Sequence, residues 1–118
     1  MIYLDNSATT QVDKDVAMTA CEVMTEVYGN PSSTYLLGRD ALGRLTAARQ
    51  QVAQVIGAPT RQIFFTSGGT EANNLAIRGS VLAARAEGRN KGRIITTAIE
   101  HSSVLESCRS LEEDGYEV

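Results

Sequence analysis

Apolar positions recur along the chain at two periods. Between Asp13 and Tyr28, Val16, Ala20, Val23, Met24 and Val27 fall at helical spacing and draw one apolar stripe. Asp13 carries an N-cap side chain. Tyr28-Gly29-Asn30-Pro31 stops the helix, because Gly and Asn tolerate positive φ and Pro31 biases Asn30 away from helix. After the polar loop Ser32-Ser33-Thr34, a second helix is predicted from about Gly38 to Ile56, with Ala41, Leu45, Ala48, Val52 and Val55 as its apolar face. Gly57 stands at its C-terminal cap and Pro59 lies just beyond.

The second half alternates. Gln62-Ile63-Phe64-Phe65-Thr66 reads as a strand, and Ser67-Gly68-Gly69 as a tight loop. Ser67 or Thr70 then opens a third helix to about Glu87, on which Ala72, Leu75, Ala76, Gly79, Leu82 and Ala83 form a small-residue face suited to a sheet. A basic linker, Arg89 to Arg93, precedes a second strand, Ile94-Ile95-Thr96-Thr97. A fourth helix follows from about Ser102 to Gly115 with Val104, Leu105, Cys108 and Leu111 inward, and Tyr116-Glu117-Val118 begins a third strand. Strand, helix, strand, helix, strand predicts an α/β architecture whose sheet is parallel or largely parallel with flanking helices. At the other end, Met1 to Leu4 is extended and Asp5-Asn6-Ser7 has turn chemistry. Three stretches follow: an extended segment 1–12, a helical region 13–57, and the first part of an α/β domain, 58–118. Only three residues of the last strand are present, so the chain reads as the front part of a larger protein.

Composition narrows the partners. The 118 residues are 42% hydrophobic and 21% charged, enough for one ordinary globular domain. Eleven Lys and Arg against 14 Asp and Glu leave a net charge of -3. That argues against a nucleic-acid footprint and against a polybasic membrane patch. No apolar run reaches the ~18 residues of a membrane span. The start, Met1-Ile2-Tyr3-Leu4-Asp5, places an acid where a signal peptide is basic. Cys21 and Cys108 form neither a metal spacing nor a disulfide framework, and both read as buried structural thiols in a cytoplasmic, reducing setting.

Two places can carry chemistry. Phe65-Thr66-Ser67-Gly68-Gly69-Thr70-Glu71 sets a glycine pair between a strand and a helix. Glycines admit a ligand close to the backbone, and the unpaired N–H groups of a helix start favour an anion such as phosphate. The hydroxyls of Ser67 and Thr70 can add donors. The same residues also suit a plain strand-to-helix turn with Thr70 as N-cap. The segment has neither the Gly-Lys-Ser/Thr of a Walker loop nor the third glycine of a dinucleotide fingerprint. The lone histidine, His101, follows the second strand at the mouth of the last helix. Parallel strands would bring it to the same rim as the glycine loop. There it could stack on a planar ligand or move a proton near neutral pH, or serve only as a polar helix-start residue.

Four motifs occur in family-like order and spacing: Tyr3-Leu4-Asp5-Asn6-Ser7-Ala8-Thr9-Thr10, Gly29-Asn30-Pro31-Ser32-Ser33, Phe64-Phe65-Thr66-Ser67-Gly68-Gly69-Thr70-Glu71-Ala72-Asn73-Asn74-Leu75-Ala76 and Glu100-His101-Ser102-Ser103-Val104-Leu105. Across essentially its whole length the chain resembles the N-terminal part of a cysteine desulfurase, among the class V aminotransferase-like enzymes that depend on pyridoxal 5'-phosphate. The resemblance implies an incomplete large domain of the fold-type-I pyridoxal-phosphate transferases. It implies that Gly69 and Thr70 hold the cofactor phosphate. His101 would stack on the pyridine ring and act as the catalytic group present, with the N-terminal motif near the substrate. The implied whole enzyme is a homo-oligomer that converts L-cysteine to L-alanine. Its persulfide sulfur would pass to an acceptor or scaffold protein in iron–sulfur cluster or thiolation pathways. The chain's lysines, Lys14 and Lys91, lack the context of the family's Schiff-base lysine. The pyridine-pairing acid and the mobile-loop cysteine have no counterpart here, and Tyr35 stands where relatives commonly carry histidine. The chain alone is therefore expected to be inactive. A selenocysteine lyase, another class V enzyme, or a non-catalytic module binding a phosphate ligand or a protein are the alternatives. In the implied fold the strands at 63–65 and 94–96 are not neighbours, so unpaired edges and self-association are expected.

Overall fold

The computed structural model describes residues 2–89 and 92–118. Met1 of the extended start and Asn90-Lys91 of the basic linker lie outside them. The chain divides into two compact units, one ending at Phe64 and the other spanning Phe65–Val118.

The first unit is helical. Helix α1, Lys14–Thr25, starts where the sequence placed it, with the Asp13 carboxylate accepting from the Asp15 N–H at 2.8 Å. Such a cap contributes about 0.5–2 kcal/mol. Val23 and Val27 are half-buried, but Val16 and Met24 are exposed, so only the C-terminal end of the expected stripe is covered. Cys21 is exposed on this helix, a correction to its reading as a buried thiol. Helix α2, Leu36–Ile56, ends at Gly57 in the left-handed region at φ 67, where a side chain would be strained. Its buried residues are Gly38, Ala41 and Ala53. Leu45 and Ala48 are half-buried, whereas Val52 and Val55 point outward. A 3-10 turn, Thr60–Gln62, packs on α2, and Arg49 Nε donates to the Ile63 carbonyl at 3.1 Å.

The second unit pairs helix α3, Gly69–Ala86, with helix α4, Ser102–Glu113. Cys108 and Leu111 of α4 are buried and Val104 and Leu105 half-buried, as their spacing predicted. Leu111, 2% exposed, contributes on the order of 1.5–3 kcal/mol by burial. On α3 the small-residue face is not the packed one. Ala72, Leu75, Ala76, Leu82 and Ala83 are exposed, while Gly79 of that face is half-buried with Asn73, Asn74, Ile77, Arg78, Val81 and Ala84.

The expected sheet is the main correction. No strand ladder forms among the described residues. Gln62 belongs to the 3-10 turn, residues 63–66 and 94–97 join no ladder, and the pairing present is one parallel bridge between Arg93 and Glu117. Ile94 N–H donates to the Glu117 carbonyl there at 2.8 Å, and the Arg93 and Glu117 side chains pair at 2.7 Å. The parallel sense agrees with the alternating pattern. A strand exists only with a partner, and Phe64, at 71% exposure, and Ile95, at 87%, have apolar side chains in solvent. No described helix is long and apolar enough to cross a membrane.

Candidate functional site

The glycine loop and His101 lie in the same unit. Helices α3 and α4 run side by side in the same direction. Asn73, one turn into α3, bonds Ser103 at the start of α4. Further along, Arg78 bonds Ser110 and pairs with Asp114 at 3.6 Å. Both N-termini therefore emerge at one end, and their dipoles add partial positive charge there. A groove of about 450 Å³ runs between them, lined by Thr70 and Asn74 from one helix and Ser103 and Ser107 from the other.

The loop is shaped by its own residues. Gly68 is the N-cap of α3 and gives it no side-chain cap. Thr70 is the second helical residue rather than the cap. Glu71, the third, reaches back: its carboxylate accepts from the Ser67 N–H and the Ser67 hydroxyl, each at 2.7 Å. The contact reaches one residue beyond the N-cap that a capping box would bond, and it pins the loop to the helix. The Ser67 hydroxyl, then its N–H, hold the Glu71 carboxyl below its ordinary value. The Ser67 hydroxyl is thus already engaged, which removes it from the expected anion donors. A Cβ at Gly68 or Gly69 would meet nothing within 4 Å, so space lies in front of the exposed helix start.

His101 is the N-cap of α4. Its Nδ1 accepts from the Ser103 N–H at 3.1 Å and lies 2.8 Å from the Ser103 hydroxyl. The helix-start role is therefore real, and it leaves the ring exposed rather than buried. Ser103 and Ser107 are buried, and the Ser107 hydroxyl donates to the Ser103 carbonyl at 2.7 Å. Sequence reasoning missed Glu71, Asn73 and Ser103. Ser103 and Ser107 carried a signal, since polar residues four apart share the inward side of α4 with Val104, Cys108 and Leu111.

The other polar motifs belong to the first unit. Asp5–Thr10 is a turn in which Ala8 N–H bonds the Asp5 carbonyl at 3.1 Å and the Ser7 hydroxyl bonds the Asp5 carboxylate at 3.1 Å. Asn30 closes its own loop through Ser32 N–H to Oδ1 and Ser33 N–H to the carbonyl, both 2.9 Å. This loop seats on α2 at Gly38.

The residues fit the cofactor that the resemblance implies. A phosphate needs an open, uncapped helix start with room before it, and Gly68-Gly69-Thr70 provides that. A planar ring needs an exposed, oriented partner, and His101 is both.

The family model described as aminotransferase class-V matches residues 2–118. Cysteine desulfurase 2 of Trichormus variabilis is 48% identical over 118 residues, covering all of this chain and 29% of its own length. A solved structure described as a NifS-like protein superposes with a TM-score of 0.86 at 41% identity, over 99% of this chain and 31% of that one. Another, described as SspA in complex with cysteine, gives 0.84 at 37% identity, over 98% and 33%. The chain thus spans about three tenths of the length of the relatives it matches, and the family match over residues 2–118 places it in the aminotransferase class-V family, among homologues of the cysteine desulfurases.

Proposed function

We propose that this chain is the N-terminal part of a pyridoxal-phosphate-dependent cysteine desulfurase and supplies one wall of its cofactor site. The carrying observation is the convergence of two parallel helix starts, one uncapped and glycine-fronted, the other capped by an exposed histidine. The names of the relatives support the same reading.

In this reading the N–H groups of Gly69 and Thr70, with the Thr70 hydroxyl, hold the phosphate against the positive end of α3. Glu71 keeps the loop in shape by holding Ser67. His101 lies against the face of the pyridine ring and orients it. When bound, pyridoxal phosphate supplies an electron sink for bond breaking at the amino acid. The net reaction moves one sulfur atom. The Cβ–S bond of L-cysteine breaks, an enzyme thiolate takes the sulfur as a persulfide, and Cβ takes a proton to become the methyl of L-alanine. The attacking thiol and the Schiff-base lysine come from other parts of the polypeptide, so this chain alone turns nothing over. The persulfide then passes to a sulfur-acceptor protein.

The test joins this chain, in place of the matching 29%, to the rest of the Trichormus variabilis relative. The hybrid is expected to bind pyridoxal phosphate and to release alanine from cysteine. Thr70→Val and His101→Gln should each lower cofactor content. Full cofactor content in both variants would reject the assignment.

A further inference from the structure

The hydrogen bonds behind His101 have a direction. A backbone N–H only donates, so the Ser103 N–H at 3.1 Å requires a lone pair on Nδ1. The neutral ring then carries its proton on Nε2. Asn73 Nδ2 donates to the Ser103 hydroxyl oxygen at 2.8 Å, leaving the hydroxyl proton for Nδ1, also 2.8 Å away. The donors run one way, from Asn73 through Ser103 to His101. Ser103 is 7% exposed and Asn73 half-buried, so water competes little for these bonds.

We propose that Ser103, backed by Asn73, is a positioning residue that locks His101 in the Nε2–H tautomer with Nδ1 turned into the α4 start. The role rests on the reading of His101 as the ring-facing group. It makes a chemical distinction within that reading. The outward nitrogen of the neutral ring is a proton donor, and the nitrogen able to accept a proton is engaged by the Ser103 N–H and hydroxyl. Neutral His101 therefore offers the bound ring a stacking face and an N–H, not a base. It also joins α3, which carries the phosphate loop, to α4, which carries the histidine, through side chains 30 residues apart. The two halves of the site are held by one relay.

The chain contains one histidine, so a ¹⁵N-labelled sample gives one unambiguous pair of imidazole nitrogens. Long-range ¹H–¹⁵N spectra of the neutral ring should show protonated Nε2 and an Nδ1 accepting hydrogen bonds. Ser103→Ala should move the Nδ1 resonance downfield, toward an acceptor of one bond. Ser103→Thr, which keeps the hydroxyl, should restore it. Asn73→Ala should move it the same way by less, and decides the matter if Ser103→Ala does not fold. Leu111→Ala, a packing change in the same helix, should leave it in place. An Nδ1–H tautomer in the unmodified chain, or an Nδ1 resonance indifferent to both Ser103→Ala and Asn73→Ala, overturns the proposal. The spectra do not depend on turnover. A hybrid enzyme that binds no cofactor would sink the functional reading and leave the relay standing.

Discussion

Gly38 is buried in the first turn of α2, under the Gly29–Ser33 loop. A Cβ built there would overlap the Ser33 carbonyl and sit 2.7 Å from both the Asn30 carbonyl oxygen and the Ser33 Cβ. Two of these obstacles are backbone, held by the Ser33 and Ser32 N–H bonds to Asn30. They cannot swing aside as a side-chain tip would. Gly43, in the same helix, has nothing within 4 Å of its virtual Cβ. The pair makes a controlled comparison. Alanine improves a helix interior by about 0.8–1 kcal/mol over glycine. Overpacking against fixed atoms costs about 1–3 kcal/mol. Gly43→Ala should therefore stabilise by about 0.8–1 kcal/mol. Gly38→Ala gains at most the same and loses the steric term, for a net destabilisation of up to about 2 kcal/mol. The difference between the two variants isolates the steric cost, about 1–3 kcal/mol. Urea unfolding followed by circular dichroism in the far ultraviolet measures it. A Gly38→Ala chain as stable as Gly43→Ala would refute the claim that the loop is seated on α2 at this residue.

Acid should loosen the glycine loop. The Glu71 carboxyl is held below its ordinary value by Ser67, so its contribution is complete above that value and is lost as pH falls through the lowered one. A ¹³C titration of the Glu71 carboxyl should show this, with Ser67 amide exchange rising over the same interval. Glu71→Gln should remove the pH dependence, and a midpoint at or above the ordinary value would contradict the geometry. The exposed apolar residues of the extended segments, Phe64 and Ile95 together with Ile99 at 94% exposure, should drive self-association. Light scattering should then give a mass above the 12.7 kDa of one chain, and a stable monomer in dilute buffer would count against it.

The sequence by itself determined the four helices and several of their ends. Asp13, Gly57, His101 and Gly115 act within a few residues of themselves, and helical hydrogen bonds close over four residues, so both are written in local order. It also determined the family, through motifs that keep their order. Tertiary structure decided what depends on distant partners. Residues 62–66 and 94–97 have strand chemistry, but a ladder needs a neighbour, and a single bridge is the pairing formed. The sequence marked a small-residue face on α3 suited to a sheet, but contact with α4 chose the side bearing Asn73, Ile77 and Val81. Ser103 looked like one more small polar residue near a helix start. Only the packing of α3 on α4 brings Asn73 to it across 30 residues and turns three polar side chains into one directed relay.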